Sequence, residues 1–346
     1  MSKDFEGFIE KNKRDKRLDN SLITSFEGDN LLSDVYIEHN SLPEMNFDEI
    51  DTKTKFLGQE VPFPLMINAM TGGTKQSVEI NETLYNLSRE LGLAMEIGSQ
   101  EDLMSNPEIS DLFLGELVKD KERENILISN LHSSFEIEYL QKALDHIKSD
   151  AIALHLNPAQ DIVSKDGRKD FTGILENIKK CSEHFGDKLI VKEVGFGMSQ
   201  ETIQKLVDAG VKNIDVSGFG GTNFIEIENL RNIEYDFSDI YGWGVPTAKA
   251  ILNARKVSKD VTIIASGGIK TSMDIIKALV LGADMVAISG ELLKYLLHGG
   301  YDNAKDYLVN LIYKAKIIMF LLGARNIDEL KKTPYKLTGK LKEINE

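Results

Sequence analysis

Several residue types and patterns are scarce in this chain, and each scarcity excludes a class of protein. The 346 residues include one cysteine, Cys181, so neither an intrachain disulfide nor a multi-cysteine zinc site can form. No run approaches the roughly 18 apolar residues that a membrane-spanning helix needs. The charged N-terminus has no apolar core of the kind found in a secretory signal. We therefore expect a cytoplasmic protein without a membrane partner.

Basic charge is also in deficit, because 41 Lys and Arg stand against 55 Asp and Glu, which gives a net charge of −14. A chain of that charge repels polyanions, so we expect no nucleic-acid partner. Five basic residues nevertheless crowd together near the N-terminus, at Lys11, Lys13, Arg14, Lys16 and Arg17. Such a run is usually a solvated helix face. The alternative is an arm that folds over a site and clamps a diphosphate.

Short apolar runs alternate with amphipathic stretches along most of the chain. Eight runs have the composition of buried strands: 63–68, 93–97, 126–129, 151–156, 189–194, 213–217, 261–265 and 285–288. The stretches with helical spacing are 78–91, 136–148, 171–185, 201–209, 248–257 and 272–281. Apolar strands that alternate with helices indicate a parallel sheet, and eight such units favour closure into a (β/α)₈ TIM barrel. The alternative is an open, doubly wound sheet.

The barrel leaves both ends of the chain outside it. Residues 1–60 are predicted to form an N-terminal extension that carries the basic arm, and residues 61–300 the barrel. Residues 301–346 are predicted to form helices packed on the barrel. The apolar stretch 317–322 is too short to cross a membrane.

Glycine pairs follow the last two predicted strands, at Gly267-Gly268 and Ser289-Gly290. Barrels of this kind hold phosphate at these two loops, because glycine lets backbone N–H groups approach phosphate oxygens and the next helix adds its dipole. Either cluster alone would be read as a tight turn, whereas the two together predict a phosphate site. A further cluster, 218–221, leaves Thr222 free to donate to an anion.

Two other strand ends carry chemistry. Lys192 lies within the apolar run IVKEVG, where burial is costly unless the ammonium meets a negative partner. That partner is either Glu193 or another barrel carboxylate, or it is the electron-rich edge of a flavin. The segment His155-Leu156-Asn157-Pro158-Ala159-Gln160-Asp161 places a histidine, two amides and a carboxylate close together. It is either a satisfied barrel histidine with loop caps or a polar site in which the carboxylate holds Mg²⁺.

Seven segments, taken in their order along the chain, resemble those of type 2 isopentenyl-diphosphate isomerase. The resemblance rests on Asn68 to Gly73, Gly98-Ser99-Gln100, His155 to Gln160, Lys192 to Gly197, Gly220-Gly221-Thr222, Trp243 to Thr247 and Ala265 to Gly268. No single segment is specific, but the ordered set is, and it covers the barrel from about Pro62 to about Leu293.

The resemblance implies an FMN-dependent barrel that interconverts isopentenyl and dimethylallyl diphosphates. It also implies reduction of FMN by NADPH or NADH, a Mg²⁺ requirement and a homo-oligomer, either a tetramer or an octamer. The implied FMN contacts lie at the ends of the predicted strands and include the loop from Gly267 to Lys270. They are Ala69, Met70, Thr71, Ser99, Asn130, Lys192, Ser217, Thr222, Gly267, Gly268, Lys270, Ser289 and Gly290.

The same resemblance assigns the remaining roles. The implied catalytic residues are Gln160, His155 and Glu228, the last in the stretch IEIENLR. Asp161 is the implied metal ligand on the diphosphate. The implied substrate contacts are Lys13, Arg14, Gln100, Asn157 and Gln160.

The sequence departs from the family pattern mainly at substrate positions. The N-terminal segment lacks its usual histidine, since it reads Lys13-Arg14-Asp15-Lys16-Arg17. Glu101 replaces an arginine after Ser99-Gln100, Asp161 replaces a glutamate, and Gly290 replaces an arginine after the eighth strand. After the third strand, His132 stands where the family has glycine. The cofactor segments therefore match the family better than the diphosphate segments do.

Two other functions are compatible with these residues. An FMN-dependent oxidoreductase acting on 2-hydroxy acids would share the barrel, but it would need a histidine and an arginine near the sixth strand. Neither is found in the segment 215–220. A divergent flavin-binding relative with another substrate is the second alternative, and the altered substrate positions favour it.

Overall fold

The structure is a computed structural model that describes residue 24 and residues 28–71, 75–105, 123–231 and 234–346. The N-terminal part forms three short strands, β1 (Val35–Ile37), β2 (Thr54–Phe56) and β3 (Gln59–Val61). β2 and β3 pair antiparallel as a hairpin. None of these three strands was predicted, because each has only three residues and none stands in a long apolar run.

Eight parallel strands then close into a barrel. They are β4 (Leu65–Ile67), β5 (Ala94–Glu96), β6 (Leu127–His132), β7 (Ala151–His155), β8 (Leu189–Lys192), β9 (Asn213–Asp215), β10 (Thr262–Ala265) and β11 (Met285–Ile288). The strands follow one another around the barrel, and β11 returns to pair with β4. Seven of the strands lie within their apolar runs and β6 overlaps the run 126–129, so the predicted TIM barrel is confirmed. β6 continues three residues beyond that run, to His132.

Helices surround the barrel and extend beyond it. They are α1 (Lys75–Leu91), α2 (Glu101–Ser105), α3 (Ile137–Ile147), α4 (Pro158–Val163), α5 (Ile174–Phe185), α6 (Gln200–Asp208), α7 (Phe224–Asn229), α8 (Thr247–Val257), α9 (Ser272–Val280), α10 (Gly290–Leu322), α11 (Ile327–Leu330) and α12 (Gly339–Asn345). The six predicted helical stretches correspond to α1, α3, α5, α6, α8 and α9.

Local sequence explains where α9 begins and where α10 bends. α9 begins with a capping box, in which the Thr271 hydroxyl accepts from the Asp274 N–H and the Asp274 carboxylate accepts from the Thr271 N–H. α10 is bent at Gly300, whose φ of 72° lies in the left-handed region that glycine adopts without a Cβ penalty.

Two apolar layers hold the barrel together. The outer layer lies between the strands and the helices. The inner one fills the amino-terminal end of the barrel with residues such as Met66, Ile128 and Ile190, and Phe56 and Val61 of the β2–β3 hairpin join it. The hairpin therefore closes the bottom of the barrel, which leaves the carboxyl ends of the strands as the open face.

The two ends of the described chain meet. A last strand, β12 (Tyr335–Leu337), pairs antiparallel with β1, and Val35 lies opposite Leu337. The Thr338 N–H donates to the Asp34 carbonyl at 2.9 Å. The described part of the N-terminal extension is thus joined to the C-terminal part of the chain by a two-stranded sheet. In the described part of the chain, no helix combines the length and hydropathy that crossing a bilayer requires.

Candidate active site

The barrel interior changes from apolar to polar toward the carboxyl ends of its strands. Side chains two residues apart on a strand point to the same face. The apolar positions 94, 128, 153 and 190 of the inner layer are therefore followed, one layer higher, by Glu96, Asn130, His155 and Lys192. All four side chains are buried, as is Asp215 on β9. These five residues form a polar layer directly above the apolar filling.

Lys192 is held by two carboxylates of this layer. Its Nζ lies 3.1 Å from Asp215 Oδ2 and 4.0 Å from Glu96 Oε2. Burial alone would lower the pKa of Lys192, but the charges of Asp215 and Glu96 outweigh burial and raise it above the usual value. Lys192 is therefore a fixed positive charge in the barrel. Of the partners considered from the sequence, a barrel carboxylate is the one observed, whereas the Glu193 side chain turns away to the backbone.

Asp215 is fixed from three other directions. Its Oδ2 accepts from Asn68 Nδ2 at 3.0 Å, and its Oδ1 accepts from Ser266 Oγ at 2.6 Å and from the Ser217 N–H at 3.1 Å. These bonds tie the ends of β4, β9 and β10 together. Because Asp215 is held in place by these bonds, it also fixes the position of the Lys192 ammonium.

Glu96 belongs to the same group. Burial and, to a smaller extent, the nearby Asp215 charge raise its pKa to about 7, although Lys192 and a hydrogen bond from Asn130 act in the opposite direction. The Asn130 amide donates to Glu96 Oε1. On its other side, Asn130 Oδ1 lies 2.8 Å from His155 Nδ1.

His155 and His132 stand next to each other at the mouth of the barrel, with ring centroids 5.3 Å apart. His155 Nε2 lies 3.7 Å from Glu101 Oε1, and His132 Nε2 lies 3.3 Å from Asp161 Oδ2. Two of the positions that depart from the family pattern, Glu101 and His132, therefore each face a residue of the predicted substrate or metal site.

A second hydrogen-bonded chain crosses the mouth. Asn157 Nδ2 donates to Gln160 Oε1 at 2.8 Å, and Gln160 Nε2 donates to Glu228 Oε1 at 2.8 Å. Arg231 Nη1 holds the other carboxylate oxygen of Glu228 at 2.6 Å. Gln160 and Glu228 come from α4 and α7, which pack against each other. The structure thus brings together Asn157, Gln160 and Glu228, to which the resemblance assigns substrate-binding and catalytic roles.

The glycine loops, which are residues 218–221 after β9 and 267–268 after β10, pack backbone against backbone. A Cβ on Gly267 would stand 1.9 Å from the Gly218 carbonyl oxygen, and one on Gly268 would stand 2.2 Å from the Gly220 oxygen. Thr222 Oγ1 lies 3.1 Å from where a Cβ on Gly290 would be, at the start of α10. The loops after β9 and β10 therefore meet the N-terminus of α10 at one place. N–H groups at a helix N-terminus suit an anionic oxygen.

Replacing Gly267 with alanine is expected to lower the free energy of unfolding by more than about 3 kcal/mol, because the clash adds to the strain of its φ of 105°. The matched control is Gly58→Ala in the β2–β3 turn. It has a φ of 79° and nothing within 4 Å of the added Cβ, so about 1–2 kcal/mol is expected there. Urea unfolding curves measure both losses. Equal losses would show that the close approach of the two loops does not matter.

The other predicted residues differ in where the structure places them. Ser99 Oγ is buried and makes no hydrogen bond in the structure, and Thr71 Oγ1 donates to Asn81 Oδ1 at 3.3 Å. Ala69, Met70, Ser217 and Ser289 also stand at strand ends on this face. Gln100 is not brought to the substrate side: its Nε2 donates to the Ala143 carbonyl and its Oε1 accepts from the Asn130 N–H. Lys270 is exposed, and Lys13 and Arg14 lie outside the described residues.

Sequence reasoning missed Glu96, Asp215 and His132 as site residues. Glu96 and Asp215 are acidic residues inside short apolar strands, which is the signal that singled out Lys192, and it could have found them too. His132 carried no such signal, because it lay beyond the predicted end of its strand. In the part of the chain that the structure describes, no group of three or more His, Cys, Asp or Glu side chains could hold a metal ion.

Comparison with known proteins places this barrel in a family. A family model described as FMN-dependent dehydrogenase matches residues 116–336, which is more than half of the chain. The chain therefore belongs to the FMN-dependent dehydrogenase family. Solved structures of similar fold include a mutant flavocytochrome b2 with benzoylformate (TM-score 0.66, 19% identity, 92% of this chain and 79% of that one). A mandelate oxidase mutant is similar over 95% of this chain and 98% of its own (TM-score 0.62, 15% identity). At these identities the likeness concerns the fold alone.

Within this broad family the chain is similar to proteins named isopentenyl-diphosphate delta-isomerase. The one from Bacillus licheniformis is 37% identical over 94% of this chain and 93% of its own length. The one from Staphylococcus haemolyticus is 33% identical over 89% and 87%, and the one from a Geobacillus species 36% over 94% and 92%. The chain belongs to the isopentenyl-diphosphate delta-isomerase family, which confirms the resemblance found in the sequence, and it is an enzyme of an FMN-dependent class.

Proposed function

We propose that this protein interconverts isopentenyl and dimethylallyl diphosphates, with reduced FMN as acid/base and Mg²⁺ on the diphosphate. The observation that carries the proposal is the identity of 33–37% to isomerases over about nine-tenths of their length. The Asn157–Gln160–Glu228 chain at the mouth of the barrel supports it, because moving a double bond requires a proton to be added at one carbon and removed at another.

The residues present fit FMN. The glycine loops and the N-terminus of α10 offer backbone N–H groups to one phosphate, and Thr222 adds a hydroxyl beside Gly290. The unpartnered hydroxyl of Ser99 is a buried donor that a ligand would satisfy. Lys192 supplies the positive charge that an anionic reduced flavin needs. When bound, the reduced flavin would supply an acid/base nitrogen and an electron-rich ring beside the double bond.

The remaining steps belong to side chains of the chain itself. Arg231 holds Glu228 so that Oε1 faces Gln160, and Gln160 is oriented in turn by Asn157. We assign to Gln160 and Glu228 the holding and moving of a proton at Glu228 Oε1. His155 and Asn157 line the substrate side. Asp161 would hold Mg²⁺ together with diphosphate oxygens, since Mg²⁺ commonly uses one or two carboxylates and substrate phosphates.

The proposal also covers the reductant, the oligomeric state, the cellular location and the domain boundaries. We propose NADPH or NADH as the reductant, a homo-oligomer of four or eight chains, and a cytoplasmic location without a nucleic-acid or membrane partner. We also propose the division into an extension (1–60), a barrel (61–300) and C-terminal helices (301–346). The end of β3 at Val61 and the bend at Gly300 support these boundaries.

Oxidation of a 2-hydroxy acid is the rival reaction on this fold. It would need a histidine and an arginine after β9, where the described residues 216–222 contain neither. A divergent flavin-binding relative is the other rival, and the changed residues Glu101 and His132 favour it.

One assay separates the three functions. Isomerisation of isopentenyl diphosphate should appear only after FMN has been reduced by NAD(P)H or dithionite, and the reductant should not be consumed in proportion to product. The matched control is the same protein with oxidised FMN in air. Stoichiometric NADPH oxidation coupled to product would favour the oxidoreductase. Retained flavin with no conversion would favour the divergent relative.

A further inference from the structure

Glu96 occupies an unusual place, since it is an acidic side chain deep in the barrel with one oxygen facing a cation and the other an amide. Its Oε2 lies 4.0 Å from Lys192 Nζ, and its Oε1 accepts from Asn130 Nδ2. It is 2% exposed, so bulk solvent does not reach these contacts. The roles assigned so far leave Glu96 without a function.

The direction of the hydrogen bonds follows from what each group can do. The ammonium of Lys192 only donates, and an ionised carboxylate only accepts. Asn130 must therefore turn its NH₂ toward Glu96, which leaves its carbonyl oxygen for His155 Nδ1 at 2.8 Å. Because that oxygen only accepts, Nδ1 has to carry a hydrogen. Amide and imidazole orientations are assigned from such networks.

The state of His155 completes the chain. Burial lowers the pKa of His155 well below its usual value, and the charges of His132 and Lys192 lower it further. The ring is therefore neutral, with a single N–H. If that hydrogen is on Nδ1, then Nε2 presents a lone pair at the mouth of the barrel, 3.7 Å from Glu101 Oε1.

We propose that Glu96 is a positioning residue that determines, through Asn130, which ring nitrogen of His155 is protonated. Its consequence for substrate rests on the proposed function: His155 would meet the substrate as a hydrogen-bond acceptor rather than as a donor to the diphosphate. The group that His155 contacts must then carry a hydrogen or a bound metal ion.

The substitution Glu96→Gln tests this directly, because glutamine keeps the shape but can donate. Lys192 attracts the amide oxygen, so the NH₂ of the new side chain faces Asn130. The Asn130 amide then turns over, its NH₂ points at His155 Nδ1, and the hydrogen moves to Nε2. Glu96→Gln is therefore expected to invert the tautomer of His155.

The measurement is the ¹⁵N NMR spectrum of histidine-labelled, full-length protein as purified, without substrate. At about pH 8.5, a carboxyl with a pKa of about 7 is ionised, so wild-type His155 should show the Nδ1–H pattern and Glu96→Gln the Nε2–H pattern. His155→Gln assigns the signal. The matched control is Ser129→Ala, next to Asn130 on β6 but bonded to Ala143 and Ser149 instead, and it should leave the wild-type pattern.

A second measurement needs no variant. Lys192 and Asp215 are the charged groups that face Glu96, and His132, Lys192, Glu101 and Arg168 are those around His155. Protonated Glu96 would donate to Asn130 as glutamine does, so acidifying the wild-type protein through pH 7 should produce the same inversion.

A wild-type ring protonated on Nε2 at about pH 8.5 would overturn the role of Glu96, and so would a Glu96→Gln ring that stays protonated on Nδ1. Neither result depends on turnover, so failure of the isomerase assay would leave the inference standing.

Discussion

Replacing Lys192 with alanine is expected to abolish flavin retention and to lower the free energy of unfolding by about 3–5 kcal/mol. The loss arises because Asp215 and Glu96 remain buried without their cation, and breaking a buried ion pair on one side costs about this much. The measurements are the flavin absorbance of the purified, FMN-reconstituted variant and its urea unfolding curve.

The loss should also depend on pH. Without the ammonium, which lowers the pKa of Glu96, that pKa rises further, so the folded state holds its proton more tightly than the unfolded one. Stability then falls as pH rises through the unfolded value near 4 and toward the raised folded value. The variant should therefore lie closest to wild type near pH 5 and furthest below it near pH 8.

Lys205→Ala is the matched control. Lys205 forms a 2.7 Å ion pair with Glu201 on the surface, with side chains 57% and 78% exposed, and such pairs contribute about 0–1 kcal/mol. It should retain flavin. If Lys192→Ala retained flavin with the absorbance of wild type, the flavin role of the buried ammonium would be wrong.

The double change Glu101→Arg and Asp161→Glu is expected to lower KM for isopentenyl diphosphate by about ten- to a hundredfold. A carboxylate about 5 Å from a diphosphate oxygen costs on the order of 3 kcal/mol at an effective dielectric of about 20. Because the Glu101 side chain is 38% exposed, solvent screens part of this. The wild-type enzyme should accordingly show a steep Mg²⁺ requirement, which the double change relaxes.

The experiment compares KM, kcat and the Mg²⁺ dependence of wild type and the double variant. Glu138→Arg is the control, because it reverses a charge in the first turn of α3, on an exposed side chain that pairs with Lys142 away from the site. It should leave KM unchanged. If the double variant keeps its flavin but shows no isomerase activity, the natural substrate has another head group and the function must be revised toward the divergent relative.

The architecture was readable from the sequence because buried parallel strands are continuous apolar runs, and the runs around 126–129 and 285–288 are of this kind. The strands of the extension, and the pairing of β1 with β12, could not be predicted from the sequence. Each of these strands is three residues long, and tertiary packing rather than periodicity decides which strand pairs with which.

The site was readable in part, for a different reason. Lys192 and Gln160 stand at strand ends or on loops where the type of residue indicates chemistry. The type of residue at Glu96 was a signal of the same kind, but its direction was not readable, because a strand of three residues, Ala94–Glu96, shows no alternation long enough to separate its inward from its outward side chains. Gln100 stood in a segment shared with the family, yet its amide is used by the backbone of α3 and β6.

The pairing of β1 with β12 also constrains how the chain matures. Asp34 and Thr338, which hydrogen-bond beside the two strands, are 304 residues apart, so the extension leaves the ribosome about 15–60 s before its partner at usual elongation rates. Asn30, four residues before Asp34, donates to the Gly268 carbonyl at 2.7 Å. Asn30 can therefore reach its partner only after Gly268 has been made, and β1 can gain its partner strand only at the end of synthesis.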